Sequence, residues 1–182
     1  MDRHYLHDLA PGFDRNTVLH DLMTEFGEDV WNFAYFLTRR SDAADDISQD
    51  VFLAAYKRLY SFRGESSVKT WLLSITRNKS FNYLRSAFVR KVTLLDNILA
   101  RAGQSPSAEE VLFDRMENKA LWNTVMELPL KFREVLILDY HYGLSIRQIA
   151  ELLHISEGTV KSRISRAKKK IAALLANEHE GA

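Results

Sequence analysis

The sequence predicts an all-α protein made of two small helical domains joined by a flexible linker. Three observations carry that expectation. Apolar residues recur at threes and fours through most of the chain, and no stretch keeps the period-two alternation of a half-buried strand. Only seven glycines and three prolines interrupt 182 residues, too few breakers for a turn-rich sheet protein. The stretch Gly103-Gln104-Ser105-Pro106-Ser107 separates two such helical blocks. The domains are therefore read as 14–88 and 108–178, with 89–107 as the linker.

In the first domain, Leu19, Leu22, Met23, Phe26, Val30, Phe33 and Leu37 form the inward stripe of one helix. Arg40-Ser41-Asp42 turns the chain into a second helix, which points Ile47, Val51, Ala55 and Leu59 inward. The loop Ser61–Ser67 breaks the pattern, and a third helix runs from about Val68 to Ser86 through Leu72, Ile75 and Leu84.

In the second domain, Ser107 and Glu110 form a capping box that opens a helix running to about Leu128. Pro129 ends that helix and serves as the first turn of the next, about Leu130 to Tyr142. Ser145 and Gln148 form a second capping box, opening a short helix with Ile146, Ile149, Ala150 and Leu153 inward. His154-Ile155 turns the chain, Ser156 caps again, and a longer helix buries Val160, Ile164, Ala167, Ile171 and Leu174.

A short helix, a tight turn and a longer basic helix make a helix-turn-helix. Ser156 to Lys170 holds six basic residues against one acid. At about 100° per residue from Val160, the outward face carries Gly158, Thr159, Ser162, Ser165, Arg166 and Lys169, flanked by Lys161 and Arg163. Short hydroxyls around one long guanidinium suit base edges, and the flanking cations suit phosphates.

The net charge of +1 conceals blocks: −5 over 1–62, +6 over 63–101, −3 over 102–143 and +3 over 144–182. Two separated basic blocks point to two contacts with a polyanion, each beside an acidic block suited to something else. The absence of cysteine excludes disulfides, thiolate zinc sites and cysteine nucleophiles. The histidines, at 4, 7, 20, 141, 154 and 179, make no His-Glu-x-x-His spacing, and no phosphate-cradling glycine motif occurs. No catalytic site, metal or cofactor is expected. The longest apolar runs, Val51–Tyr56 and Ile171–Ala176, are six residues each, against about 18 for a bilayer span. With no apolar segment of a signal peptide at the start, the expectation is a cytoplasmic protein without membrane insertion.

The run DAADDISQDVFLAAYKRLYSFRGESSVKTWLLSITRNKSFNYLRS resembles conserved region two of bacterial sigma factors, the extracytoplasmic-function group (group four of the sigma-70 family) in particular. That family's acidic segment ending in Gln-Glu-Val-Phe appears as Asp45 to Phe52, its Phe-Arg-Gly-Glu-Ser-Ser loop as Phe62 to Ser67, and its Thr-Trp-Leu helix start as Thr70-Trp71-Leu72. LPLKFREVLILDYHYGLSIRQIAELLHISEGTVKSRISRAKKKI is similar to the family's region four. Asp50 stands where the family usually has Glu, and Ile75-Thr76 where it often has Ile-Ala.

The resemblance implies a promoter-specificity subunit that directs initiation at a dedicated set of promoters and has no catalysis of its own. It implies that Asp46, Gln49, Asp50, Leu53 and Lys57 dock on the beta-prime clamp of core RNA polymerase, with the beta flap as a second contact. Phe62, Arg63, Lys69, Trp71, Arg77, Asn78, Lys79, Asn82 and Arg85 would handle the minus-ten element as single-stranded DNA. Asn78 would line a pocket for a flipped base. Thr159, Lys161, Ser162, Arg163, Ser165, Arg166 and Lys169 would read the minus-thirty-five duplex. An anti-sigma factor covering these faces is a further implied partner. From the helix-turn-helix alone, a stand-alone transcriptional regulator is the alternative, which would bind paired half-sites as a dimer.

Overall fold

In the computed structural model, which describes residues 14–62, 64–93 and 119–180, every regular element is helical and the helices fall into two units. The first unit holds α1 (Arg15–Thr38), α2 (Ser41–Arg58), a 3₁₀ turn (Leu59–Ser61) and α3 (Val68–Thr93). Asp14 caps α1, its carboxylate accepting the Asn16 N–H at 3.0 Å and the Thr17 hydroxyl at 2.8 Å. The Thr17 hydroxyl first, then the Asn16 N–H, hold the Asp14 carboxyl below the usual carboxylate range.

Helix α1 ends at Arg39 in the left-handed conformation, φ 60°, with its N–H bonded to the Tyr35 carbonyl. The turn is thus Arg39-Arg40, and Ser41 and Asp42 already belong to α2 rather than to the turn that the spacing suggests. The Arg40 guanidinium reaches forward to bond the Asp42 carboxylate. Ser67 caps α3, its hydroxyl accepting the Thr70 N–H at 3.1 Å. Helix α3 continues seven residues past Ser86, to Thr93. No Gly or Pro lies in that stretch, and a helix needs no apolar period to persist there.

The three helices pack on one another. The end of α1, Asn32 to Thr38, is buried on all sides, and Val30, Phe33, Phe36 and Leu37 share one core with Ile47, Val51 and Ala55 of α2 and Leu72 and Leu73 of α3. Its N-terminal half buries only Val18 and Leu22, a single narrow side. Met23, expected in the stripe, is therefore half exposed at 50%.

The second unit holds α4 (Lys119–Glu127), α5 (Leu130–Leu136), α6 (Ile146–Leu153) and α7 (Glu157–Glu180). The Ser107–Glu110 box, the start of its helix and the linker from residue 94 onward lie outside the described residues. Pro129 opens α5, and the Arg133 guanidinium ties it to the end of α4 by donating to the carbonyls of Met126 and Leu128 at 2.8 and 3.1 Å. Helix α5 does not run regularly to Tyr142 but widens into a π turn, Ile137–His141. The Tyr142 N–H bonds the Ile137 carbonyl at 3.1 Å, and the chain reverses at Gly143, φ 64°.

The helix-turn-helix follows as expected. Ser145 and Gln148 cap reciprocally: the Gln148 N–H donates to the Ser145 hydroxyl at 3.3 Å and the Ser145 N–H to the Gln148 side-chain oxygen at 2.9 Å. His154 turns the chain in the left-handed region at φ 55°, and the Ser156 hydroxyl accepts the Thr159 N–H at 3.1 Å. Val135, Ile137, Leu138, Ile149, Leu153, Val160 and Ala167 build the core. Ile171 and Leu174 are only half-buried. Because both bonds of the box are made, Ser145→Ala is expected to cost about 1 kcal/mol. Hydrogen exchange of the α6 amides measures the loss, and Ser145→Asp should recover most of it.

Candidate nucleic-acid interface

Helix α7 presents its polar residues much as its periodicity requires. Lys161, Ser162, Ser165, Arg166 and Lys169 are exposed, and Val160, Ile164 and Ala167 anchor the opposite side. Thr159 is half-buried, its hydroxyl 2.9 Å from that of Ser156. Ser162 donates its hydroxyl to the Thr159 carbonyl at 3.0 Å. The start of the helix is capped by Ser156 and carries the acidic Glu157 in its first turn. Arg163 behaves differently. Its Nη1 lies 3.2 Å from Oε1 of Glu134 on α5, and its side chain is 25% exposed against 2% for that of Glu134.

In the first unit, α2 exposes Asp46, Gln49, Asp50, Leu53 and Lys57, and Leu53 is 57% exposed despite being apolar. Between α2 and α3 runs an open groove of about 560 Å³ lined by Asp46, Ile47, Gln49, Asp50, Leu53, Lys79, Asn82, Tyr83 and Ser86. Residues expected to dock on polymerase and residues expected to meet DNA therefore line the same groove. Lys79 Nζ lies 3.2 Å from Asp50 Oδ2, bridging the two sets.

The remaining minus-ten candidates are dispersed over the loop and α3. Phe62 and Trp71 are half-buried against each other, ring centroids 4.9 Å apart. Lys69 pairs with Asp29 of α1 at 2.9 Å, and the Arg77 guanidinium lies over the Phe81 ring, 4.4 Å from its centroid. Asn78, Asn82 and Arg85 are exposed. Arg63 lies outside the described residues. Sequence reasoning missed the acids Asp29 and Glu134, whose partners stand 40 and 29 residues away along the chain. A helical wheel fixes an angle and not the neighbour found there. No helix among the described residues is long and apolar enough to cross a membrane.

Residues 22–88 match the family pattern described as Sigma-70 region 2, and residues 118–171 that of Sigma-70, region 4. The chain is 35% identical over 150 residues to the ECF RNA polymerase sigma-E factor of Haemophilus influenzae, covering 76% of this chain and 78% of that protein. It is also 35% identical over 150 residues to the probable RNA polymerase sigma factor RfaY of Xanthomonas campestris. That match covers 81% of this chain but only 38% of the longer relative. The fold is similar to that of the sigma factor RpoE of Bartonella quintana, solved with the anti-sigma factor NepR. The TM-score is 0.69 at 25% identity, covering 88% of this chain and 98% of that one.

Proposed function

Because the chain belongs to the sigma-70 family of RNA polymerase sigma factors, in the extracytoplasmic-function group, we propose that its two units divide promoter recognition between them. It is a promoter-specificity subunit. Residues 14–88 dock on core polymerase and take the melted minus-ten element, and residues 108–178 read the minus-thirty-five duplex. The observation that carries this division is the face of α7, where Ser162, Ser165, Arg166 and Lys169 stand together in solvent. They do so on a helix held by two capped turns. The chain acts in the cytoplasm by binding alone, and the polymerase performs the chemistry. A partner of the class of NepR, bound to the Bartonella relative, restrains it by covering these faces. Run-off transcription with purified core polymerase on a genomic library, with and without the chain, tests the reading. Equal transcript sets would overturn it.

Docking is tested separately. The exposed acidic side of α2 favours a basic partner, and like charges across an interface cost several kcal/mol. Replacing Gln49 and Asp50 together by Lys is expected to weaken co-purification with core polymerase by about tenfold or more with helical content unchanged. Gln49→Lys alone, which leaves the Lys79–Asp50 bridge intact, should show part of the loss. Undiminished co-purification would remove α2 as the docking surface.

A further inference from the structure

We infer that Arg163 is a positioning residue, which aims the reading helix α7 through its ion pair with buried Glu134 rather than by touching DNA phosphate. The inference rests on the proposal that α7 reads the minus-thirty-five duplex. By angle alone, Arg163 and Lys161 flank the outward face symmetrically and would both hold phosphates. The structure breaks that symmetry. Lys161 stands in solvent, whereas the Arg163 guanidinium turns back to Glu134 Oε1 at 3.2 Å.

Glu134 sits in α5, where Phe132, Val135 and Leu136 are buried as well, and its side chain is 2% exposed. Taking an ionised carboxylate out of water is costly, so a cation held against it resists being pulled away toward a phosphate. Arg163 has the geometry for this task, since a guanidinium is always charged and donates in a fixed fork.

The pair also lies where it controls aim. Arg163 and Arg166 are one turn apart, separated by about 60° around α7. Val160, Ile164 and Ala167 are apolar contacts, which are non-directional and let a helix roll on its neighbour. A directional bond on one side opposes that roll. At a side-chain radius of 5–6 Å, about 10° of rotation displaces a group by about 1 Å, enough to spoil a bidentate contact with a base.

The test is equilibrium binding of the holoenzyme to a minus-thirty-five duplex over a range of salt, and to the same duplex with its element scrambled. Arg163→Met and Glu134→Gln are each expected to weaken cognate binding by about tenfold, within the range of one base contact. Each should leave the slope of log affinity against log salt unchanged, and each should compress discrimination between the two duplexes. The double variant should be no weaker than either single one. Lys161→Ala is the control and should lower the slope by about 0.9. Glu134→Gln keeps the side-chain shape, so it tests the pair even if Arg163→Met unfolds the unit.

A slope lowered by about 0.9 in Arg163→Met, with Glu134→Gln neutral, would make Arg163 a phosphate contact and overturn the inference. Discrimination unchanged while the melting temperature falls would make the pair merely structural and overturn it equally. Failure of the unaltered holoenzyme to discriminate the two duplexes would instead refute the minus-thirty-five reading itself.

Discussion

Arg166→Ala is expected to weaken binding of the holoenzyme to a minus-thirty-five duplex by about 1–3 kcal/mol, the value of one good base contact. Arg166 is exposed on the face of α7 opposite Val160 and Ile164. There a guanidinium can bond guanine bidentately in the major groove. A pre-melted bubble downstream should not rescue the loss. Asn78, exposed on α3 in the other unit, offers an amide suited to an unpaired base edge. Asn78→Ala should leave upstream duplex binding intact and impair strand opening or base selectivity at the minus-ten element. Permanganate footprinting beside duplex binding, for both variants with core polymerase, measures the two activities. Equal loss of both in both variants would end the division of labour.

The largest stability effect is expected from Leu138→Ala. Leu138 is fully buried within the π turn, and truncating such a leucine costs about 2–5 kcal/mol because the cavity refills only partly. That is a large fraction of the roughly 5–15 kcal/mol that holds an ordinary domain together. Since the chain forms two separate units, the loss should be confined to α4–α7. Hydrogen exchange should rise there and stay unchanged in α1–α3. Co-purification with core polymerase through α2 should persist while minus-thirty-five binding fails. Equal loosening of α1–α3 would show that the two units fold cooperatively.

What the sequence made legible was local. The Ser145–Gln148 box and the Ser156 cap need only residues three apart, and both form as their spacing indicates. Val160, Ile164 and Ala167 lie inward because three-to-four spacing defines a face. What was not legible depends on neighbours from elsewhere in the chain. The pattern places Met23 in the α1 stripe as readily as Leu22, yet only Leu22 is buried. The π turn leaves no periodic mark, since one widened turn shifts the phase only after it has occurred. The candidate site divides the same way. Exposure of the α2 and α7 faces follows from amphipathicity, whereas the pairing of Lys69 with Asp29, Lys79 with Asp50 and Arg163 with Glu134 is a product of packing.

On the proposed reading, in which the first unit takes the melted minus-ten element, two of those pairs set the terms on which a nucleic acid would meet it. Lys69 and Lys79 each carry a carboxylate within 3.2 Å, so an arriving phosphate enters an anion exchange instead of meeting a hydrated ammonium. Asp29 and Asp50 behave as resident competitors tethered at high local concentration. Each would offset part of the gain from a single phosphate contact. On that reading, hold on the first unit would grow with the number of contacts made at once. The electrostatic cost of letting go is small for pairs that stand partly in solvent, on the order of 1 kcal/mol each. Several contacts made together would exceed that cost.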